Sequence, residues 1–357
     1  MNKLMDIIQD YENIQKLFPG RMSCNILEKK TDCVITEEVI YISKFSIQIR
    51  SKSLHKKISQ NILETTIIDG PLKNSIINVK FEPLSKGTKV SITATLKLSI
   101  KYRLLHPFIK KRYQELTTGF LYQINDIAIV TSSRSWKDCL VSNGDALLLS
   151  DYFDGVKLYG WWLCTLRSCF IDDDYGFLPV LNKTVIDIGA NVGDTTLYFA
   201  RKGASKIISL EPYPIMAKWT IMNIEKNELD NVTVLQVGCA GESKTMTIDP
   251  KISNVGAILE EYDNGTKIKL TTLASIVNNF NINSGILKMN CEGCEYDVIR
   301  SSSTVTLKKF SHILIAYHNG YVDLERKLLE SNFKLQIKQH PLYRDQGWIL
   351  AQNSDPQ

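Results

Sequence analysis

The sequence predicts two domains, an N-terminal α+β unit and a C-terminal α/β unit built on a mostly parallel sheet. Three observations carry this. Between about 22 and 100, apolar and polar residues alternate with period 2. At Pro107 the period changes to that of one long amphipathic helix. Beyond about 150, short apolar runs alternate with helical patterns, the signature of a parallel sheet covered by helices on both faces.

The composition suits that division. A chain of 357 residues fits two domains of roughly 100–200 residues each. Hydrophobic residues, 44% of the total, supply two cores, and 23% charged residues is ordinary for a folded chain. A net charge of +5 permits anionic ligands without demanding nucleic acid, and no nucleic-acid partner is expected. No apolar run reaches the roughly 20 residues of a transmembrane segment. The opening MNKLMDIIQDYENI carries acids where a signal peptide would be apolar. A cytoplasmic protein is therefore expected. Eight cysteines make no dense disulfide framework, and a reducing compartment would keep them as thiols.

In the first domain, FSIQIRS sets Phe45, Ile47 and Ile49 against Ser46, Gln48 and Arg50. KVSITATLKLSI does the same with Val90, Ile92, Ala94, Leu96, Leu98 and Ile100 on one face. Asp69-Gly70-Pro71 and Ser85-Lys86-Gly87 are turn signals between strands. Ile109, Tyr113, Leu116, Phe120, Ile124 and Ile127 then recur at helical spacing, so 107–130 is expected to be one helix with Pro107 in its first turn. The basic stretch KYRLLHPFIKKRY (101–113) reads as the solvated start of that helix or as a contact for phosphates or anionic lipids. A sheet followed by one long helix, the phrase DYENIQKLFPG (10–20) and the KGTKVSITATLKL hairpin together resemble the START-like, polyketide cyclase/dehydrase (SRPBCC) superfamily. The resemblance covers 1–130 and implies a helix-grip fold with an apolar ligand held between sheet and helix; a packed core is the alternative. That superfamily opens with a strand, whereas this sequence reads as opening inside the first helix. Residues 131–145, without sustained period, are expected to be a linker to a second domain over 146–357.

The strongest signal is TVIDIGANVGDTTLYFARKG (184–203): a short buried strand, a turn bracketed by Gly189 and Gly193, and a helix opened by Asp194 and Thr195. Glycine allows backbone to approach a ligand, and the helix start leaves N–H groups unpaired. Position 191 is Asn, so the dinucleotide spacing G-x-G-x-x-G fails. The next strand, KIISLEPYP (206–214), ends in Glu211, an acid roughly 20 residues on that can accept from ribose hydroxyls. Together the two halves predict a nucleoside-type ligand.

With the helix WTIMNIEKNEL, the strand NVTVLQVG, TLASIVNNF and LKMNCEGCEYDVIR following in order, residues from about 150 to 357 resemble the FkbM family of methyltransferases. The resemblance implies a Rossmann-like class I methyltransferase fold, with a mostly parallel seven-stranded sheet, and S-adenosyl-L-methionine as cofactor. It places Asp187, Gly189, Asn191 and Gly193 along the methionine and ribose, Glu211 on the ribose, and Gly238 and Cys239 near the adenine. Ala190, Asp194, Thr195 and Pro212 join the same cofactor set. Asn290, Glu292 and His318 are the catalytic candidates. The family's K-x-D-x-E-G has Asp where Asn290 stands, and Ala316 occupies the place of a second acid in the fifth strand. Asn keeps an acceptor but cannot take a proton, while His318 titrates in the right range for a base.

Cys291 and Cys294 in NCEGC leave three readings. A zinc site wants a second pair of ligands that the sequence lacks, and a redox pair usually opens a helix in a thioredoxin-like unit. Small packed thiols are therefore expected, with no metal. Glu292 and Glu295 are expected in the first turn of the following helix, where the dipole favours acids. The function implied is methylation of a small hydroxylated or lipid-like acceptor. Asn290 and Ala316 keep open the alternative of a cofactor-binding, catalytically weak sensing protein. A nucleic-acid methyltransferase is weaker still, since NCEG does not resemble the N/D-P-P-Y/F strand end of base methylation.

Overall fold

In the computed structural model the alternating N-terminal stretch is an antiparallel sheet of six strands, each paired with the next: β1 (Met22–Lys29), β2 (Cys33–Ile42), β3 (Ile47–Ser59), β4 (Ile62–Asp69), β5 (Ile76–Pro83) and β6 (Thr88–Thr95). The structure describes residues 2–17, 22–42, 47–85, 87–97, 117, 120, 121, 124, 125, 127, 128, 140, 141, 146–149, 156–159, 167–252, 257–340 and 344–355. The chain divides into two units, Met1–Gly144 and Asp145–Gln357.

In the first unit, helix α1 (Asn2–Ile8) brings Met5 onto Leu63 and the fully buried Phe81. Burying a phenylalanine contributes about 1.5–3 kcal/mol. β3 runs to Ser59, well past the stretch whose alternation was clean, because Lys56 and Lys57 lie on exposed positions of a strand paired on both sides. Among the described residues β6 has one strand neighbour, β5; Val90 and Ile92 are half-buried and Ala94 is exposed, short of the buried face expected. Leu98 and Ile100 lie outside the described residues, as does most of the helix expected over 107–130. Of that helix, Thr117, Phe120, Leu121, Ile124, Asn125, Ile127 and Ala128 are described and helical, with Ile124 and Ile127 buried. Apart from Leu140 and Val141, the expected linker 131–145 also lies outside them.

One part of the N-terminal sheet is polar inside. Thr36 and Glu38 on β2, and Ser53 and His55 on β3, share a face because they are two apart. His55 Nε2 lies 2.8 Å from Thr36 Oγ1 and 3.1 Å from Glu38 Oε1, its Nδ1 lies 2.9 Å from Thr65 Oγ1, and Ser53 donates to Glu38 at 2.9 Å. Tyr11 stacks on the imidazole at 4.3 Å. Burial pushes the Glu38 carboxyl up, but His55 and the two hydroxyls outweigh it and hold it below its ordinary value.

The C-terminal unit is organised by a sheet of seven strands. Its elements in chain order are β7 (Thr184–Ile188), α2 (Asp194–Arg201), β8 (Lys206–Leu210), α3 (Pro214–Lys226) and β9 (Val232–Leu235). After β10 (Val237–Cys239), β11 (Lys244–Ile248) and β12 (Thr266–Thr271), which form a small side sheet, come α4 (Leu273–Asn279), β13 (Gly285–Met289), α5 (Cys294–Ser301) and α6 (Thr304–Leu307). The chain closes with β14 (Phe310–Tyr317), α7 (Val322–Glu330), β15 (Phe333–Gln339) and β16 (Gly347–Asn353). The order across the sheet is β9-β8-β7-β13-β14-β16-β15. The pairs among β9, β8, β7, β13 and β14 are parallel, and β16 runs antiparallel to both of its neighbours.

Sequence explains the centre of this sheet. Ile186, Ile188, Ile208, Leu210, Leu287, Met289, Ile313 and Ile315 are all buried, as near-continuous apolar runs must be when helices cover both faces. Pro214 opens α3, where its missing N–H costs nothing. Thr272 caps α4 by accepting from Ser275 N. From β7 the chain moves outward to β8 and β9, and only later returns to lay β13 on the other side of β7. The connections beyond β7 and β13 therefore diverge, leaving a crevice at the carboxyl ends of these strands. No helix among the described residues is long and apolar enough to cross a membrane.

Candidate active site

The floor of the crevice is a buried ion pair between neighbouring strands. Asp187 and Lys288 are register partners on β7 and β13, with Lys288 Nζ 2.8 Å from Asp187 Oδ1. Both side chains are almost fully buried, at 0% and 2% exposure. Lys288 also donates to the carbonyl of Gly189 at 2.9 Å, and Asp187 accepts from Thr195 Oγ1 at 2.6 Å and Thr196 Oγ1 at 3.0 Å. Every charge here has several partners, as burial demands. Asp187 thus sits beneath the cavity, while Lys288 reaches its lining.

The glycine turn follows. Gly189 (φ +79) lies so close to the next strand that a Cβ on it would stand 2.1 Å from the carbonyl oxygen of Asn290. Asn191 (φ 53) and Gly193 (φ +85) are also left-handed, and Gly193 precedes α2. α3 fixes the outer side of the turn: Thr220 donates to Asn191 O at 2.6 Å and Asn223 to Val192 O at 2.6 Å. Asp194 opens α2 and accepts from the Cys169 thiol at 3.1 Å; burial pushes its carboxyl up to about 6, against the pull of Lys288.

Glu211, one residue past β8, closes the other wall. Its carboxylate accepts from Asn191 N at 2.8 Å and Tyr213 N at 3.0 Å. Burial raises its pKa to about 7, and these backbone bonds only partly offset that. Gly189, Asn191, Asp194, Thr195, Glu211, Pro212, Gly238 and Cys239 line one cavity together with Asn290 and Glu292. Of the remaining expected residues, Ala190 is buried behind the turn and Gly193 sits at the helix start. His318 stands one residue beyond β14 and reaches the cavity only through Glu292.

The segment after β13 departs from expectation in two ways. Glu292 (φ 55) and Gly293 (φ 122) form a left-handed turn, so α5 begins at Cys294 and, of the two glutamates, Glu295 alone lies in its first turn, with Asp297. Glu295 is fully buried, and its two oxygens accept from Cys291 N at 2.8 Å and Gly293 N at 2.7 Å. Cys291 and Cys294 are not packed thiols but a disulfide. The left-handed turn brings the two Cα atoms to 5.5 Å, within bridging range. Among the described residues no cluster of ligands suits a metal.

His318 lies between two carboxylates, with Nε2 3.5 Å from Glu292 and Nδ1 3.6 Å from Glu295. Burial opposes the imidazolium, but these two acids outweigh it and raise the pKa. Burial likewise raises Glu292, against the opposing charge of His318. Asn290 Oδ1 is buried without a hydrogen-bond partner among the described residues. The sequence does not single out Lys288 or Cys169 for this site, and it marks Glu295 only as an acid at a helix start. The signal for Lys288 was present, as one cation inside the apolar run ILKM beside the strand of Asp187.

Residues 187–335 match the family model described as methyltransferase FkbM domain, and residues 1–123 match the one described as polyketide cyclase / dehydrase and lipid transport. The two matches follow one another along the chain, the polyketide cyclase/dehydrase model first and the FkbM methyltransferase model second. A curated relative, uncharacterized protein 158B of Sulfolobus islandicus rod-shaped virus 1, is 29% identical over 174 residues, covering 47% of this chain and 84% of that protein. Among solved structures, fibrillarin of Aeropyrum pernix with natively bound S-adenosyl-L-methionine is 13% identical, over 49% of this chain and 68% of that one, with a TM-score of 0.30. SMU.1697c of Streptococcus mutans, in complex with SAH, is 13% identical over 51% and 96%, with a TM-score of 0.33. The cofactor of the methyltransferase domain is S-adenosylmethionine, and the cavity's donor set fits it: a turn that admits backbone approach, a strand-end carboxylate and an unpartnered amide oxygen.

Proposed function

We propose that the chain is an S-adenosylmethionine-dependent methyltransferase of the Rossmann-like class, acting on the hydroxyl of a small or lipid-like acceptor. The observation that carries it is the convergence of the glycine turn, Glu211 and the Asn290 amide on one cavity at the switch point of the sheet. In this reading Gly189, Asn191, Asp194 and Thr195 hold the amino-acid end of the cofactor, Glu211 with Pro212 the ribose, and Gly238 with Cys239 the base. The first unit is assigned a helix-grip fold that holds an apolar ligand, with the Glu38–His55 cluster as its polar end.

S-adenosylmethionine supplies an electrophilic methyl group when bound. The residues of the chain align it with the acceptor, and alignment alone can provide much of the acceleration. Asn290 orients the acceptor hydroxyl but cannot take its proton. Glu292 faces the cavity, and burial has made its carboxylate more basic than usual. It therefore takes the proton, while His318 behind it balances the charge. Glu292→Gln is expected to lower kcat by about 10²–10⁴-fold, with cofactor affinity changed little. Equal turnover in the variant would remove Glu292 from the chemistry.

Glu211 gives the reading a pH signature. A ribose hydroxyl donates best to the ionised carboxylate, and Glu211 ionises near pH 7. Affinity for S-adenosylmethionine should therefore rise between about pH 6 and 8 and level off above. The fold itself favours the protonated form, so Glu211's contribution to stability runs the other way and is lost as pH rises through about 7. In Glu211→Gln the rise in affinity through about pH 7 should be lost, leaving only the part that follows Asp194 near pH 6.

The amide at Asn290 favours one second reading, a domain that binds the cofactor and turns over weakly. Incubating the full chain with S-adenosylmethionine, hydroxylated small molecules and lipid extracts separates the two. Acceptor-dependent release of S-adenosylhomocysteine supports the enzyme; tight cofactor binding with no release across the panel supports the weak binder.

A further inference from the structure

We propose that Cys291 and Cys294 form a reversible redox site on the rim of the cavity, a disulfide that an external dithiol opens. Its functional consequence rests on the cofactor reading above. The two sulfurs are bonded, both residues line the cavity, and both are only half-buried. Three of the four free cysteines among the described residues, Cys24, Cys169 and Cys239, are buried by contrast.

The position of the pair gives it leverage. It closes the turn that leaves β13, and that turn carries Asn290 and Glu292. The carbonyl of Asn290 is the atom against which Gly189 is pressed. Glu292 holds a left-handed φ of 55 that its side chain disfavours. With the bridge closed, this conformation is covalently fixed. With it open, the turn is held by the two hydrogen bonds to Glu295 and by the contact of Glu292 with His318. The closed form is therefore the cofactor-competent one, and opening the bridge frees the wall on which the glycine turn rests.

The chemistry balances as a thiol–disulfide exchange. A thiolate of the reductant attacks Sγ of Cys291, and the Cys291–Cys294 bond breaks. Cys294 leaves as a thiolate at the first residue of α5, where unpaired N–H groups favour negative charge. It then takes up a proton. The second thiol of the reductant resolves the mixed disulfide on Cys291. Two electrons and two protons have moved to the pair, and the reductant has become its own disulfide.

Both cysteines lie in the tryptic peptide between Lys288 and Arg300, so alkylation of the denatured chain reads the bridge directly. After mild oxidation this peptide should take no label, and after dithiothreitol it should take two, reversibly. Calorimetry on the full chain should show S-adenosylmethionine binding about tenfold weaker in the reduced form, about 1.4 kcal/mol. The double variant Cys291→Ser/Cys294→Ser should match the reduced form and ignore the reductant. A peptide that stays labelled with two groups after oxidation would overturn the proposal. So would equal affinity in both states and in the double variant. A chain that binds no cofactor in either state would contradict the cofactor reading instead, and the alkylation result would still decide whether the pair cycles.

Discussion

Lys288→Met is expected to destabilise the C-terminal unit by about 3–5 kcal/mol, because it leaves Asp187 buried without its cation. Methionine fills a similar volume, so the loss is electrostatic rather than a cavity. Asp187 would keep the hydroxyls of Thr195 and Thr196, which do not neutralise it. The carbonyl of Gly189 would lose a donor at the same time, loosening the turn. Denaturant unfolding measures the first effect. The double variant Asp187→Leu/Lys288→Met should recover part of the loss, since removing both charges also removes their desolvation. A single variant within about 0.5 kcal/mol of wild type would show that the pair is not structural.

Gly189→Val should abolish cofactor binding, with affinity down by a hundredfold or more, about 2.8 kcal/mol. Two separate effects act. A branched residue at φ +79 is strained by about 1–2 kcal/mol. Its Cβ would also meet the Asn290 carbonyl at 2.1 Å, and that neighbour is backbone of the adjoining strand end, not a side chain that can swing away. The turn and the 290–293 segment must then part, and both walls of the cavity move. Gly293→Ala is the instructive contrast. Among the described residues a Cβ there meets nothing within 4 Å, so its φ of +122 is what opposes the change, and cofactor affinity should fall far less. Similar losses in the two variants would mean that backbone strain, not the close approach to Asn290, governs the site.

The sequence was most legible where periodicity and glycine spacing act locally. The run TVIDIGANVGDTT announces strand, turn and helix because a buried strand, three left-handed positions and a helix start each restrict residue choice. Glu211 could be placed on the same cavity by its distance along the chain. Lys288 could not be paired with Asp187 in this way, because 101 residues separate them and only the strand order makes them neighbours. The disulfide was missed for a different reason. The pattern places Glu292 and Gly293 in a helix start, whereas both take positive φ and delay α5 to Cys294, so the bridging geometry of the two cysteines depends on a local turn that residue spacing does not reveal. The Glu38–His55 cluster was hidden because Thr, Ser, Glu and His on alternating strands read as a solvent face. Its burial comes from what covers it, including Tyr11 far upstream.

The most direct measurement is a calorimetric titration of the full chain with S-adenosylmethionine at pH 8, beside Glu211→Ala, with circular dichroism to verify the variant's fold. One-to-one binding is expected in the wild type. The variant loses charge-assisted hydrogen bonds of about 1.5–3 kcal/mol each and should bind at least about a hundredfold more weakly. Absence of binding in the wild type, or equal affinity in Glu211→Ala, would contradict the assignment of this cavity to the cofactor.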